Sequence, residues 1–180
     1  MIDFNALLEK YTQGNRELLN LLQAHSQAVA RKALEIINRH PELGIDPHLT
    51  LEAAMLHDIG VVKCNAPGIH CHGSEPYIRH GILGAEILRQ EGLPIHARVA
   101  ERHTGSGISA AYIKANDLPL PPQDFLPETP MEKLICYADK FFSKSRRPDE
   151  EKPLEKIRSQ MEKFGTDSLA RFDALHSLFA

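Results

Sequence analysis

The chain has 180 residues, 42% hydrophobic and 25% charged, with 21 Lys+Arg against 24 Asp+Glu and a formal net charge of −3. That is the composition of one ordinary globular domain, and it excludes a disordered chain, a collagen or a coiled-coil rod. A sequence pI of 6.4 lacks the basic excess of a nucleic-acid binder, and the sequence shows neither an apolar run of about 20 residues nor a basic start before an apolar block, so a cytoplasmic protein without nucleic-acid or membrane partner is expected.

In chain order, the apolar spacing is helical. Across Asn15–His40, residues Leu18, Leu21, Leu22, His25, Val29, Ala33, Ile36 and Ile37 recur at three and four, which predicts a long amphipathic helix stopped by Pro41. Thr50 reads as the N-cap of a short helix Leu51–Ile59 that Gly60 ends. A helix over His80–Glu91 is followed by Gly92. Pro94 opens the next as a first-turn residue, with Ile95, Val99 and His103 on one face and Gly105 closing it. Thr129-Pro130 is an N-cap and first-turn proline before Met131, Leu134, Ile135, Ala138 and Phe142. Two further helices are expected at about Pro153–Phe164 and Asp167–Phe179, where Phe164, Phe172 and Phe179 read as packing or a dimer contact. No segment alternates as a strand does, so the expected class is all-α. Residues 1–146 are expected to form the main domain and 147–180 a helical extension packed on it. The polar stretch Ser143–Pro153 between them reads as a solvated linker. Gly60–Arg79 and Asn116–Pro130 are long loops, which in a compact domain tend to be functional.

Ten histidines beside no Trp are the compositional excess, while three cysteines are too few for a disulfide scaffold. Several histidines sit with aspartates on apolar faces. His25 lies among Leu21, Leu22 and Val29, and Asp139 is spaced with Met131 and Ile135. His103 follows Val99 by four, and His57-Asp58 ends the apolar stretch Leu51–Leu56. His80 aligns with Leu83 and Ile87. Any one of these reads as a hydrogen-bonded core residue. Several together on facing helices require a shared solution, because a buried carboxylate is costly unless paired or metal-bound. A divalent cation held by imidazole and carboxylate gives that solution.

The order His25 … His57-Asp58 … Asp139, with the string Leu56-His57-Asp58-Ile59-Gly60, resembles the HD superfamily of metal-dependent phosphohydrolases over most of the chain. The resemblance implies an HD-domain helical bundle with a C-terminal helical extension. It also implies a metal bound by His25, His57, Asp58 and Asp139. His80 (in Arg79–Leu88) and His103 (in Glu101–Gly105) match the two further ligands of binuclear members. The His103-Thr104-Gly105 run is similar to HD hydrolases that split diadenosine tetraphosphate symmetrically, and to small HDIG proteins. The implied cofactor is one or two divalent ions, of which Fe, Mn and Zn suit the ligands best and Ni or Mg also fit.

The expected reaction is hydrolysis of a phosphoester or phosphoanhydride of a small substrate, a nucleotide or dinucleotide, by a metal-activated hydroxide. His57 and Asp58 serve it through the metal, and Lys63, Arg102 and Lys140 are the candidate cations for phosphoryl charge. Arg146 and Arg147, in the polar stretch, are weaker candidates. The sequence departs from those hydrolases where Val61-Val62 separate Lys63 from the His-Asp pair, and in the loop Asn65–Tyr77, where His70 and His72 are placed at the mouth of the site. A structural zinc on Cys64, His70, Cys71 and His72 is disfavoured, since adjacent ligands strain tetrahedral geometry. Cys136 reads as a small core residue, and His40, His48, His96 and His176 as surface residues or caps. Two other classes stay open: an HD-fold di-iron oxygenase, and a non-catalytic nucleotide-binding module. The oligomeric state is read as monomer or homodimer.

Overall fold

A computed structural model describes residues 2–145 and 147–180. Among these it contains nine α-helices: α1 (Phe4–Thr12), α2 (Arg16–Arg39), α3 (Pro47–Leu56), α4 (His80–Gln90), α5 (Pro94–Arg102), α6 (Ala110–Ala115), α7 (Pro130–Asp139), α8 (Leu154–Glu162) and α9 (Thr166–Phe179). The strands are a two-residue hairpin, β1 (Asn65–Ala66) antiparallel to β2 (Cys71–His72). The class is therefore all-α. No helix of the described residues is long and apolar enough to cross a membrane.

Local chemistry explains most boundaries. Asn15 caps α2, its side chain accepting from the Leu18 amide, and Pro41 ends the run. At α7 the Thr129 hydroxyl and the Glu132 carboxylate form a reciprocal capping box, with Pro130 in the first turn. The helix expected at Leu51–Ile59 instead spans Pro47–Leu56: Asp46 caps it and Pro47 opens it, while the Thr50 hydroxyl donates back to the Asp46 carbonyl from inside the helix. Two helices were not expected. In α1, nine residues long, only Leu8 and Thr12 are buried, and Lys10 and Tyr11 fasten it to Glu91. Such a helix is marginal alone and is held by docking. In the six-residue α6 only Ile113 is buried. Ile95, placed on the inner face of α5 from spacing, is 50% exposed.

Two apolar clusters meet along α2. Leu18, Leu19 and Leu22 pack with α1, α4, the end of α3 and part of α5. Residues Ala28–Ile37 pack with α7 and the C-terminal pair. His25 and Ser26 lie at the junction. The pair α8–α9 is anchored by Ile157, Phe172 and Phe179, each fully buried, with Tyr137 on α7 against both phenylalanines. Phe172 and Phe179 therefore pack internally, whereas Phe164 is 48% exposed. The stretch Ser143–Pro153 is not simply solvated. Lys144 is largely enclosed, and the Lys152 amide donates to the Phe141 carbonyl at 2.7 Å. Arg146 lies outside the described residues.

His96 also departs from its surface assignment. It is buried on α5, with Nε2 3.3 Å from the Glu52 carboxylate of α3, whose other oxygen accepts from the Ile2 amide. Burial lowers its pKa from 6.5, with Glu52 opposing. The unfolded chain thus binds this proton more readily than the folded one, and stability falls as pH drops below about 6.5. His96→Gln keeps a donor for Glu52 and cannot titrate. Urea midpoints at pH 7.5 and 5.5 should differ less for this variant than for the wild type; equal differences would remove His96 from the acid response.

Candidate metal centre

Four of the six predicted ligands stand at helix ends. His57 follows α3, His103 follows α5, His80 begins α4 and Asp139 ends α7, while His25 comes from the middle of α2. Helix ends leave carbonyls without intrahelical partners, and three histidines use carbonyls three residues back. Nδ1 of His57 donates to Ala54 (2.6 Å), of His80 to Tyr77 (2.8 Å) and of His103 to Ala100 (2.7 Å). A carbonyl only accepts, so each Nδ1 carries the proton. In the neutral ring each Nε2 is then a bare lone pair aimed inward. This is the outer hydrogen bond that orients metal-binding imidazoles.

The inward atoms converge. His25 Nε2 lies 3.0 Å from Asp139 Oδ1 and 3.2 Å from Asp58 Oδ2. His57 Nε2 lies 3.0 Å from Asp58 Oδ2 and 3.5 Å from Asp139 Oδ1. On the other side, Asp58 Oδ1 is 3.3 Å from His103 Nε2 and 3.6 Å from His80 Nε2. Two ligand groups result, His25–His57–Asp58–Asp139 and Asp58–His80–His103, all buried, with Asp58 common to both. One carboxylate oxygen faces each group.

The donor set fits divalent ions. Ligand atoms about 2.1 Å from an ion are about 3.0–3.4 Å from one another; the His25–Asp139, His25–Asp58, His57–Asp58 and His103–Asp58 separations fall in that range, while His57–Asp139 at 3.5 Å and His80–Asp58 at 3.6 Å lie just beyond it. His57 Nε2 and both Asp58 oxygens are buried without a well-directed hydrogen bond despite these short separations. The Nε2 atoms of His80 and His103 face each other at 3.1 Å, lone pair to lone pair by the tautomers above. A cation between such atoms turns repulsion into ligation. Burial and the neighbouring His103 push His80 down to about 3, so its lone pair stays available at neutral pH. Burial opposes a charged His57, but Asp58 and Asp139 outweigh it and raise the ring to about 9. A metal ion held by these carboxylates would take the place of that proton. Burial likewise opposes the charge on Asp58 and Asp139, yet His57 and Lys144 for the first, and Lys140 and His25 for the second, hold both carboxyls well below the usual range.

The other sequence candidates divide. Lys140 is buried beside the centre, its Nζ 2.7 Å from Asp139 Oδ2 and donating to the His103 carbonyl. Lys63 is exposed at the end of a 3-10 turn whose buried side is taken by Val61. Arg102 bonds the Leu126 carbonyl and Glu128, fastening the 116–130 loop instead of facing the metal centre. His72 is exposed. His70 is 44% exposed at a left-handed backbone position and faces Glu17 at 3.5 Å. Arg147 is exposed and pairs with Glu150. The cysteines are free and buried, and among the described residues none joins a metal-ligating group.

The residue the sequence reading missed is Lys144. Its Nζ lies 2.7 Å from Asp58 Oδ2 and its side chain is only 12% exposed. Burial would lower its pKa, but Asp58 and the neighbouring Tyr77 and Asp139 raise it, so it remains a cation. In the string Ser143–Arg147 nothing distinguishes it from a surface lysine.

A cavity of about 350 Å3 opens beside the centre, lined by His80, His103 and Asp139 and by Lys140, Lys144 and Lys152. Burial lowers Lys152 to about 8. The adjoining wall includes Thr104, Tyr112 and Gln160.

Residues 22–144 match the HD domain family, a span that holds all six ligand candidates. An uncharacterised protein of Methanocaldococcus jannaschii is 36% identical over 141 residues, covering 78% of this chain and 75% of that one. A tRNA (cytidine(56)-2'-O)-methyltransferase of Picrophilus torridus is 35% identical over 128 residues, 71% of this chain but 33% of the relative. The same-named protein of Thermoplasma volcanium is 32% identical over 124 residues, 68% of this chain and 32% of the relative. The chain thus spans about a third of the length of both methyltransferases. No solved structure matches. With the family match spanning most of the chain and the ligand order intact within a helical bundle, the chain belongs to the HD domain family.

Proposed function

We propose that this protein is a metal-dependent phosphohydrolase that cleaves a phosphate bond of a small substrate. The observation that carries the reading is Asp58, with one oxygen facing each of two ligand groups. His25, His57, Asp58 and Asp139 would hold one divalent ion, and Asp58, His80 and His103 a second. Ions bound there supply Lewis acidity and a hydroxide near neutral pH.

The chain's own residues do the rest. Lys140 and Lys144 set two ammonium groups at the ligand carboxylates and on the cavity wall, where the oxygens of an incoming phosphate meet them. They replace Lys63 and Arg102 as the phosphoryl-binding cations. The enclosed setting strengthens each charge–charge contact relative to water. The nucleotide or dinucleotide expectation comes from the family resemblance, and a cavity of about 350 Å3 is at the small end of ligand sites, roughly 300–1,000 Å3. That favours a compact monophosphate over a dinucleotide. Methyl transfer to tRNA is not carried over, since the match covers about a third of those relatives.

The test combines metal analysis of the purified protein with a panel of phosphomonoesters, phosphodiesters and dinucleotides in Mn or Fe(II). Phosphate release by metal-replete protein is expected. Two bound ions with silence across the panel, or oxygen uptake instead, would overturn the reading. Lys144→Gln should lower kcat/KM by about 10- to 100-fold, the worth of a hydrogen bond to a charged group. Its bound metal should be retained, because Lys144 competes with metal for Asp58 and does not ligate it. Loss of metal in this variant would assign Lys144 a structural role.

A further inference from the structure

The cavity beside the metal centre has two chemically different parts. The inner part is charged: Asp139, His80 and His103 with Lys140, Lys144 and Lys152. The outer part is apolar and comes from two separate pieces of the chain. Ile78, Tyr112 and Leu118 belong to a small apolar cluster formed by the loops before α4 and around α6, distinct from the two main clusters. Met161 and Phe164 belong to α8 and the turn after it.

We infer that the outer part grips one apolar aromatic ring of the substrate, so that the substrate is the phosphate monoester of a compact aromatic group, and that Phe164 of the C-terminal helical pair is a specificity-determining residue. This rests on the phosphohydrolase reading above. Three observations support it. Phe164 is 48% exposed although it lines a cavity, which leaves a large apolar face uncovered at the mouth. Exposed aromatic surface at a concave site is where ligand burial is most favourable. Tyr77, stacked on the His80 ring at 4.7 Å, sets a second aromatic face beside the metal ligands. Two of the polar groups on that wall are committed elsewhere: Ser168 bonds Ser106, and the Arg171 guanidinium donates to the Ser106 and Gly107 carbonyls, which leaves Thr104, Tyr112 and Gln160 as its remaining neutral polar side chains. Ribose hydroxyls entering this wall would lose water without full replacement, which is costly.

The charges agree with this division. Lys140 and Lys144 pair with Asp139 and Asp58, so the phosphate end is fixed next to the metal ligands. The ester oxygen then points the organic group toward Met161 and Phe164. The cavity of about 350 Å3 accommodates a phosphate and one ring.

The experiment measures binding of phenylphosphonate, methylphosphonate and adenosine 5'-monophosphate to the Mn-loaded protein by calorimetry, with Phe164→Ala and Phe164→Leu beside the wild type. The two phosphonates carry no ester bond, so their binding is read apart from turnover; adenosine 5'-monophosphate does carry one, so its affinity is read from competition with phenylphosphonate before any phosphate is released. Phenylphosphonate is expected to bind about ten-fold or more tighter than methylphosphonate, as burial of an apolar ring implies, and tighter than adenosine monophosphate. Phe164→Ala should remove the ring's advantage while methylphosphonate binding is unchanged, and Phe164→Leu should restore part of it. With phenyl phosphate as substrate, Phe164→Ala should raise KM with little change in kcat. Adenosine monophosphate binding as tightly as phenylphosphonate, or Phe164→Ala leaving the ring's advantage intact, would overturn the inference while leaving the hydrolase reading standing. Ring-dependent, Phe164-dependent binding with no phosphate released from any ester would support the ring site and overturn the hydrolase reading.

Discussion

Asp58→Asn is expected to abolish turnover, with a fall of about 1,000-fold or more, and to take most of the metal-dependent stabilisation with it. A carboxylate places an acceptor oxygen toward each ligand group, 3.2 and 3.0 Å from the His25 and His57 Nε2 atoms on one side and 3.3 Å from that of His103 on the other. An amide has one such oxygen. Its NH2 group turns protons toward the other set, where the lone pairs of neutral His80 and His103 already face each other. One of the two groups therefore loses its shared ligand and much of its affinity for a cation. Lewis-acid stabilisation is worth several kcal/mol, and about 4 kcal/mol corresponds to roughly 1,000-fold in rate. Thermal melts make the test independent of activity. At an ion concentration about 1,000 times the Kd, a ligand stabilises by about 4 kcal/mol, so the wild type should melt well above its chelated form and Asp58→Asn should show little of that gap. A variant with the full metal-dependent shift would show that Asp58 is not the shared ligand.

The same geometry explains why this part of the molecule could be read from sequence. A histidine between Leu22 and Val29, or an aspartate four after Ile135, breaks the apolar period of a helix whose neighbours are core, and burial of such groups requires a partner. Each candidate ligand is a local inconsistency in the pattern, and a shared cation is one solution to all of them. Lys144 broke no pattern. It lies beyond the end of α7, in a polar run, and only the turn of the chain after Asp139 brings its ammonium back to Asp58. Lys63 and Arg102 failed for the converse reason: proximity in sequence to His57-Asp58 and His103 says nothing of direction, and both side chains point away. Helix α1 does carry an apolar period, Phe4, Leu7, Leu8 and Tyr11, but over nine residues so short a period is weak evidence until contacts with Glu91 and the core cluster around Leu8 fix it. The start of α3 was misplaced because Thr50 has the chemistry of a cap, while Asp46-Pro47, four residues earlier, has the same chemistry and a proline preset for the first turn. Spacing alone leaves His96 at the surface because the carboxylate that partners it, Glu52, is 44 positions away.

Gly60 links the fold to the centre most directly, and Gly60→Ala is the second large effect expected. The glycine sits in the 3-10 turn Ile59–Lys63, which lies against α4. A Cβ there would stand 2.0 Å from the His80 carbonyl oxygen, 2.3 Å from the Gly84 nitrogen and 2.8 Å from the Gly84 Cα. All three are backbone atoms, so no side chain can rotate away, and the start of α4 must move. The φ of Gly60 is not in the left-handed region, which makes the requirement one of space and not of backbone freedom. Forced overpacking costs about 1–3 kcal/mol and occasionally more. A clash of backbone against backbone places this site at the upper end, about 3 kcal/mol, or a fall in Tm of roughly 6–12 °C for a chain of this size. Because the displaced carbonyl belongs to His80, affinity at the Asp58–His80–His103 group should fall as well, beyond the loss of stability. Gly68→Ala supplies the comparison: nothing lies within 4 Å of its added Cβ, and its Tm and metal affinity should stay at the wild-type values. If Gly60→Ala melts like Gly68→Ala and binds metal equally well, the turn does not set the position of α4, and the tight approach of Gly60 to Gly84 is not what holds His80 in place.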